Sequence, residues 1–256
     1  ISLSVVDPFM GDDGWFFSER PGTVPDTVNG AGYLREVYTR ADPAYTGRVT
    51  VPVLWDKESG TLVNNESREI IRMLDGEFDA VEGARPDVNF CPEHLRQEVD
   101  RVADEIYEPI NNGVYRTGFA TSQEVYEENV TELFDALDHW EAVLSGQRYL
   151  CGDRITEADW CMFTTLFRFD PVYHYHFKCN IRRIADYKEL WGYLRDLYQQ
   201  PGVADTCNLA HIKEHYYTSH ESVNPTKIVS LGPELDYYAP HNRDRLSVPT
   251  LQSSTR

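Results

Sequence analysis

The spacing of apolar residues changes character near Gly83, so no one architecture suits the whole chain. Ahead of that point, apolar residues come in short strand-like runs at 2–6 and 49–55, with a Gly/Pro/Asp-rich loop between them reaching to about Asn29. Residues 58–60 read as a turn and 61–63 as a short strand. Asn64-Asn65-Glu66-Ser67 then opens a helix whose apolar residues are Ile70, Ile71 and Leu74. A hairpin followed by a helix fits the second half of a thioredoxin-like domain.

Beyond Gly83 the period is helical. A helix following Cys91-Pro92 is expected to bury Leu95, Val99, Val102, Ile106, Ile110 and Val114, with Pro109 kinking it. Another covers 122–144 with Leu133, Leu137, Trp140 and Leu144 inward. Thr156-Glu157-Ala158-Asp159 resembles a capping box with Asp in place of Glu, ahead of an apolar helix through Phe169. Residues 187–200 are amphipathic and stop at Pro201-Gly202; one more helix, 203–217, precedes a polar tail. The expected fold class is α+β: a partial thioredoxin-like domain over 1–83, then an all-α domain over 92–256.

The net charge of −18 argues against nucleic acid and against anionic membrane surfaces as partners. No apolar run approaches the roughly 20 residues of a membrane span, and the opening Ile-Ser-Leu-Ser-Val-Val-Asp has no signal-peptide pattern. Only five of the cations are lysines (57, 178, 188, 213, 227), a balance that would suit a high-salt cytoplasm, where screening removes self-repulsion. The cysteines, Cys91, Cys151, Cys161, Cys179 and Cys207, are odd in number and lack CxxC spacing. A reducing, cytoplasmic setting is therefore expected.

Several motifs carry chemistry, each with an ordinary alternative. Pro52 within Val51-Pro52-Val53 removes a ladder donor, which marks an edge strand; if the bond is cis, the Val51 backbone can turn to pair with a ligand. The helix start at Glu66-Ser67 offers free N–H groups to a carboxylate, a hydroxyl donor and an acceptor for an ammonium group, which suits an α-amino-acid head. Its ordinary use is a capped turn. Cys91 at a helix start resembles a redox cysteine, but it follows the linker rather than a strand, so it reads as structural. His174/His176 and His211/His215 each pair two potential ligands with no third, so no metal is expected. Tyrosines cluster at 107/115, 173/175 and 216/217; such residues are usually amphipathic core, although a phenol near a thiolate can bond it or protonate a leaving phenoxide.

The stretches GWFF (14–17), RVTVPVLWD (48–56), VNNESREIIRML (63–74), YEPINNGVYRTGFA (107–120), GDRITEADW (152–160), RFDPVY (168–173), HFKCNIRRI (176–184), LWGYLRDLYQ (190–199) and NPTKIVSLGP (224–233) resemble the Xi-class glutathione transferases, the glutathionyl-hydroquinone reductases. That resemblance runs in order along nearly the whole chain. It implies a cysteine that attacks the sulfur of a glutathionyl-hydroquinone, releases the hydroquinone and is regenerated by a second glutathione as co-substrate. It implies Tyr115 as proton donor, Tyr173 and Tyr216 as partners of the sulfur and substrate, and Trp15, Arg48, Val49, Thr50, Val51, Glu66 and Ser67 as the glutathione-holding residues. A homodimer paired through the helical domain is implied too. The family's nucleophile lies in a Cys-Pro-Trp-Ala-His segment ahead of the strand that opens this sequence, so it is expected outside residues 1–256, leaving a gap in the sheet and these residues alone inactive. Cys91 is a second departure, since an aromatic residue is expected there. The rivals are an omega-like thiol transferase acting on other mixed disulfides, and a non-catalytic binding protein with the same fold.

Overall fold

The computed structural model describes residues 1–246. They gather into two compact units: Ile1–Val88 with Asn208–Leu231, and Asn89–Cys207 with the tail from Gly232. Periodicity had put all of 92–256 into one domain, whereas the segment 208–231 joins the first unit. The ties are specific. Arg20 pairs with both Asp7 and Glu214, at 3.1 and 2.8 Å, and the Met10 N–H donates to Ser219 Oγ at 2.9 Å. The tail's last residues, 247–256, lie outside the described residues.

The first unit is built on a helix that the sequence reading did not single out, α1 (Leu34–Ala41). Leu34, Val37 and Tyr38 recur at i, i+3 and i+4, so they share one face and are buried together. Trp15, Phe17, Val49, Val53, Trp55 and Leu62 pack against them. Strand β1 (Leu54–Asp56) pairs antiparallel with β2 (Thr61–Asn64), with Trp55 opposite Leu62 and Asp56 opposite Thr61. Gly60 at φ +65° closes the turn, a conformation that suits a residue without Cβ.

The two expected strands shrink. The run 49–55 is paired as a strand only from Leu54, and Pro52 has no N–H to give a ladder; the Val51–Pro52 bond is cis. Residues 2–6 contribute a single bridge, Val5 to Val24, with N–H···O distances of 2.9 and 3.0 Å. Helix α2 (Ser67–Gly76) buries Ile70, while Leu74 is 48 % exposed.

The second unit is helical. A 3₁₀ turn (Glu93–Leu95) leads into α3 (Arg96–Ile106), α4 (Gly113–Gly118), α5 (Gln123–Leu144), α6 (Glu157–Arg168), the short α7 (His174–His176) and α8 (Lys188–Tyr198). Helix α9 (Leu209–Ser219), capped by Asn208, belongs to the first unit. Val99, Val102, Ile106, Ile110 and Val114 are fully buried as the spacing predicts, each contributing about 1.5–3 kcal/mol; Leu95, at the start, is only half-buried. Ser122 caps α5 through the Val125 N–H. Asp159 accepts from the Leu150 and Thr156 N–H groups, the Thr156 hydroxyl and the Tyr193 hydroxyl, at 2.7–2.9 Å. The predicted kink at Pro109 is a π turn, Tyr107–Asn111, and a second π turn, Phe169–Tyr173, contains Pro171. A proline nitrogen cannot donate to the preceding turn, and the wider turn absorbs the missing bond. The tail folds back on its own chain: Arg243, 1 % exposed, pairs with Glu189 at 2.6 Å and donates to the carbonyls of Gln147 and Arg148. No helix among the described residues is long and apolar enough to cross a membrane.

Candidate functional site

In the first unit, the residues expected to hold glutathione fall, Trp15 apart, on two neighbouring segments. Arg48, Thr50 and Val51 are exposed and Val49 is half-buried. Tyr45 anchors this loop by donating from its hydroxyl to the Arg48 carbonyl at 2.6 Å. The Val51 backbone has no hydrogen-bond partner among the described residues. At the other segment, Glu66 is the N-cap of α2 and makes no side-chain cap bond, so the positive end of the helix stays open to an anion. Asn64 Oδ1 accepts from the Glu66 N–H at 2.7 Å and shapes this turn. Glu66 and Ser67 are exposed beside it. The Tyr38 hydroxyl joins the two segments: it donates to the Thr50 carbonyl at 2.7 Å and accepts from Asn65 Nδ2 at 3.1 Å.

Trp15 and Tyr216 meet through a histidine. The Trp15 indole stacks on His215, centroids 4.7 Å apart and planes 25° apart, and Tyr216 stands edge-on to His215 at 5.1 Å. His215 Nδ1 donates to the Pro8 carbonyl at 2.9 Å, which fixes the ring under the indole. His211 donates instead to the Pro21 carbonyl at 2.8 Å, so the two histidines serve separate backbone ties. Among the described residues no group of three His, Cys, Asp or Glu side chains is arranged to hold a metal.

In the second unit, Tyr115 on α4 and Tyr173 at the end of the second π turn bring their hydroxyls to 3.4 Å. That is longer than an ordinary O–H···O bond. Their placement has local causes. Asn111 ends the first π turn and donates to the Cys161 carbonyl and Thr165 Oγ1, both at 2.8 Å, pinning it to α6. Asp170 in the second accepts from the Ile184 and Ala185 N–H groups at 2.6 and 3.0 Å. Phe177 completes an aromatic wall, stacked on Tyr173 at 5.6 Å with planes 7° apart and edge-on to Tyr115. Phe119, 45 % exposed, continues that wall.

Four of the five cysteines do not resemble attacking thiolates. Burial pushes the Cys151 thiol up to about 11, and raises Cys179 and Cys207 as well. Cys91 is 5 % exposed, and its N–H donates to Asn89 Oδ1 at 2.9 Å, a turn-forming role. Cys161 lies on α6, where its carbonyl accepts from Asn111. The sequence gives no separate signal for Tyr38 or Asn111, and it marks His215 only as a potential metal ligand. Each sits at a helix-periodic or turn position that core packing alone would explain.

Known proteins share this arrangement. The glutathione S-transferase N-terminal domain family matches residues 9–77 and the corresponding C-terminal domain family matches 123–196. The chain is similar to glutathionyl-hydroquinone reductase PcpF of Sphingobium chlorophenolicum: 55 % identity, covering 91 % of this chain and 74 % of that protein. With glutathionyl-hydroquinone reductase YqjG of Escherichia coli it shares 51 % identity over 95 % of this chain and 74 % of that protein. The glutathione-bound structure of YqjG superposes with a TM-score of 0.92, covering 95 % of this chain and 79 % of that one. A Xi-class transferase from Natrialba magadii superposes at 0.93 with 59 % identity, covering 96 % of this chain and 77 % of that one.

Proposed function

Because this chain belongs to the Xi class of glutathione transferases, we propose that it serves the glutathione-dependent reduction of glutathionyl-hydroquinones to hydroquinones. The observation that carries the reading is identity above one half, over more than nine-tenths of the chain, to two proteins named for that activity. A thiolate attacks the glutathionyl sulfur, and an S–S bond forms as the aryl C–S bond breaks. The bonding pair goes to the ring, which takes a proton, so the hydroquinone leaves and a cysteine–glutathione mixed disulfide remains. A second glutathione thiolate attacks that disulfide, frees the cysteine and departs as glutathione disulfide. The burial of Cys91 and the raised thiols of Cys151, Cys179 and Cys207 count against those four and so support a nucleophile outside the set.

Tyr115 supplies the ring proton, and Tyr173 and Tyr216 bond the sulfur and substrate. The 3.4 Å approach of the two phenols and the adjoining rings of Phe177 and Phe119 support an aromatic leaving group. Trp15, Arg48, Val49, Thr50, Val51, Glu66 and Ser67 hold glutathione. The Val51 backbone pairs with the peptide, the open end of α2 with Ser67 takes the γ-glutamyl carboxylate, and Glu66 takes the ammonium. The unit containing residues 1–83 is the glutathione-binding domain, and the helical one binds the quinol and pairs two subunits in a cytoplasmic homodimer.

Incubating the full-length protein with a glutathionyl-hydroquinone and glutathione tests this reading, with products followed by mass spectrometry. Hydroquinone and glutathione disulfide in equal amounts are expected. Turnover of aliphatic mixed disulfides with none of the quinol conjugate would instead support an omega-like transferase, and binding without any turnover a non-catalytic protein.

A further inference from the structure

The geometry points to Tyr38 as the residue that positions both halves of the glutathione surface through its hydroxyl, an inference that rests on the glutathione reading above. Tyr38 is 2 % exposed and its ring belongs to the α1 core with Leu34 and Val37. A phenol has one hydrogen to give and two lone pairs. Tyr38 gives its hydrogen to the Thr50 carbonyl at 2.7 Å, and accepts from Asn65 Nδ2 at 3.1 Å and from the Thr50 N–H at 3.3 Å. Nothing is left over for a ligand, so this hydroxyl positions and does not react.

What it positions follows from the planarity of the peptide group. The Thr50 carbonyl and the Val51 N–H lie in one rigid plane and point in opposite directions. Pinning the Thr50 oxygen on Tyr38 therefore aims the Val51 N–H away from the core, and that N–H has no partner among the described residues. At the other end of the same hydroxyl, Asn65 immediately precedes Glu66, the N-cap of α2. One buried oxygen thus sets the spacing between the backbone that pairs with a peptide and the helix end that takes its carboxylate. These segments lie 15 residues apart in sequence, and a direct contact between them is long, Asn65 Nδ2 to Thr50 Oγ1 at 3.5 Å.

Tyr38→Phe keeps the ring in the core and removes only this oxygen. Isothermal titration of glutathione into the full-length protein should give a Kd raised about 10-fold, the scale of one lost hydrogen bond. The turnover number at saturating glutathione should stay within about twofold, because the phenols of the second unit are untouched. Asn65→Ala, which removes one of the three bonds, should give a smaller loss and guards against a Tyr38 variant that fails to fold. Val37→Ala weakens the same core without touching the hydroxyl and should bind glutathione as the unaltered protein does. Unaltered affinity in Tyr38→Phe, or an equal loss in Val37→Ala, would overturn the role of Tyr38. Failure of the unaltered full-length protein to bind glutathione would overturn the glutathione reading, and this inference with it.

Discussion

Gly118→Ala is a small change with a large predicted consequence. A Cβ at this position would stand 2.2 Å from Phe177 Cγ, 2.3 Å from Cδ1 and 2.7 Å from Cβ. Those atoms are the root of the Phe177 side chain, so no rotation of the ring withdraws all of them. Phe177 is fully buried and stacked on Tyr173, so α4 or the segment carrying Phe177 must move by about 1 Å to restore van der Waals contact. Overpacking of this kind costs about 1–3 kcal/mol. Alanine is the better helix former by up to about 1 kcal/mol, but Gly118 is the last residue of α4, where that gain is smallest. The clash wins, and a net loss of about 1–2 kcal/mol is expected from urea unfolding. At about 2–4 °C per kcal/mol for a chain of this size, the Tm should fall by roughly 2–8 °C. Turnover should fall further than stability suggests, because Phe177 carries Tyr173 with it, and a misplacement of about 1 Å can cost up to roughly 10²-fold. Phe177→Ala, which removes Cγ and Cδ1, should cost less stability in the Gly118→Ala background than in the unaltered protein, a non-additivity expected of residues in contact. A Gly118→Ala protein with unaltered Tm and turnover would refute the packing argument.

Tyr115→Phe in the full-length enzyme should lower turnover about 10²–10⁴-fold while glutathione affinity holds, since only the transferable proton is removed; turnover equal to the unaltered enzyme would refute its role. Cys151, raised from an ordinary 9.0 to about 11 by burial, should be alkylated at pH 8 roughly 10²-fold more slowly than a free thiol, as read by peptide mass spectrometry. Because the folded thiol keeps its proton after the unfolded one has lost it, its contribution to stability is complete below about pH 9 and declines towards about pH 11. Alkylation at the free-thiol rate would refute the burial argument. The protein should be a dimer paired through helices between residues 92 and 145, and with −18 per chain the association should strengthen as salt rises until screening is complete. Light scattering across a salt series checks this, and a monomer mass at every salt from folded protein would count against it.

What could be read in advance divides along the kind of interaction involved. Helices α3, α5, α6 and α8 repeat their apolar residues over several turns, and their inner faces follow from that repetition, although the helix expected through Val114 is divided after Ile106. The strands did not, because a strand exists only where a neighbour pairs with it: Val5 finds one partner and residues 49–53 find none. Helix α1 carries its signal in only Leu34, Val37 and Tyr38, too few turns to stand out. Glu66 and Ser67 could be picked out because a helix start has a chemistry of its own, whereas Tyr38 looks like any other core tyrosine until its hydroxyl has coordinates. The π turns did leave a trace: Tyr107-Glu108-Pro109-Ile110 and Phe169-Asp170-Pro171-Val172 repeat an aromatic–acid–proline–branched order ahead of the paired tyrosines.

The order in which the chain visits its two units bears on how the protein is made. Residues 1–88 emerge before the helical segment 89–207, yet their unit is completed only by 208–231, after that segment has been synthesised. The pairing of Arg20 with Glu214 spans 194 positions, and the stack of Trp15 on His215 spans a similar stretch. On the ribosome the first unit must therefore wait, with Trp15 and Phe17 incompletely covered, while the helical unit acquires its core from local contacts. Its own finish waits for Arg243, the buried arginine of the tail. A chain cut after α8 would lack the parts that complete both units. Nascent-chain proteolysis should accordingly find protection of the amino-terminal residues only after residue 231 has cleared the exit tunnel.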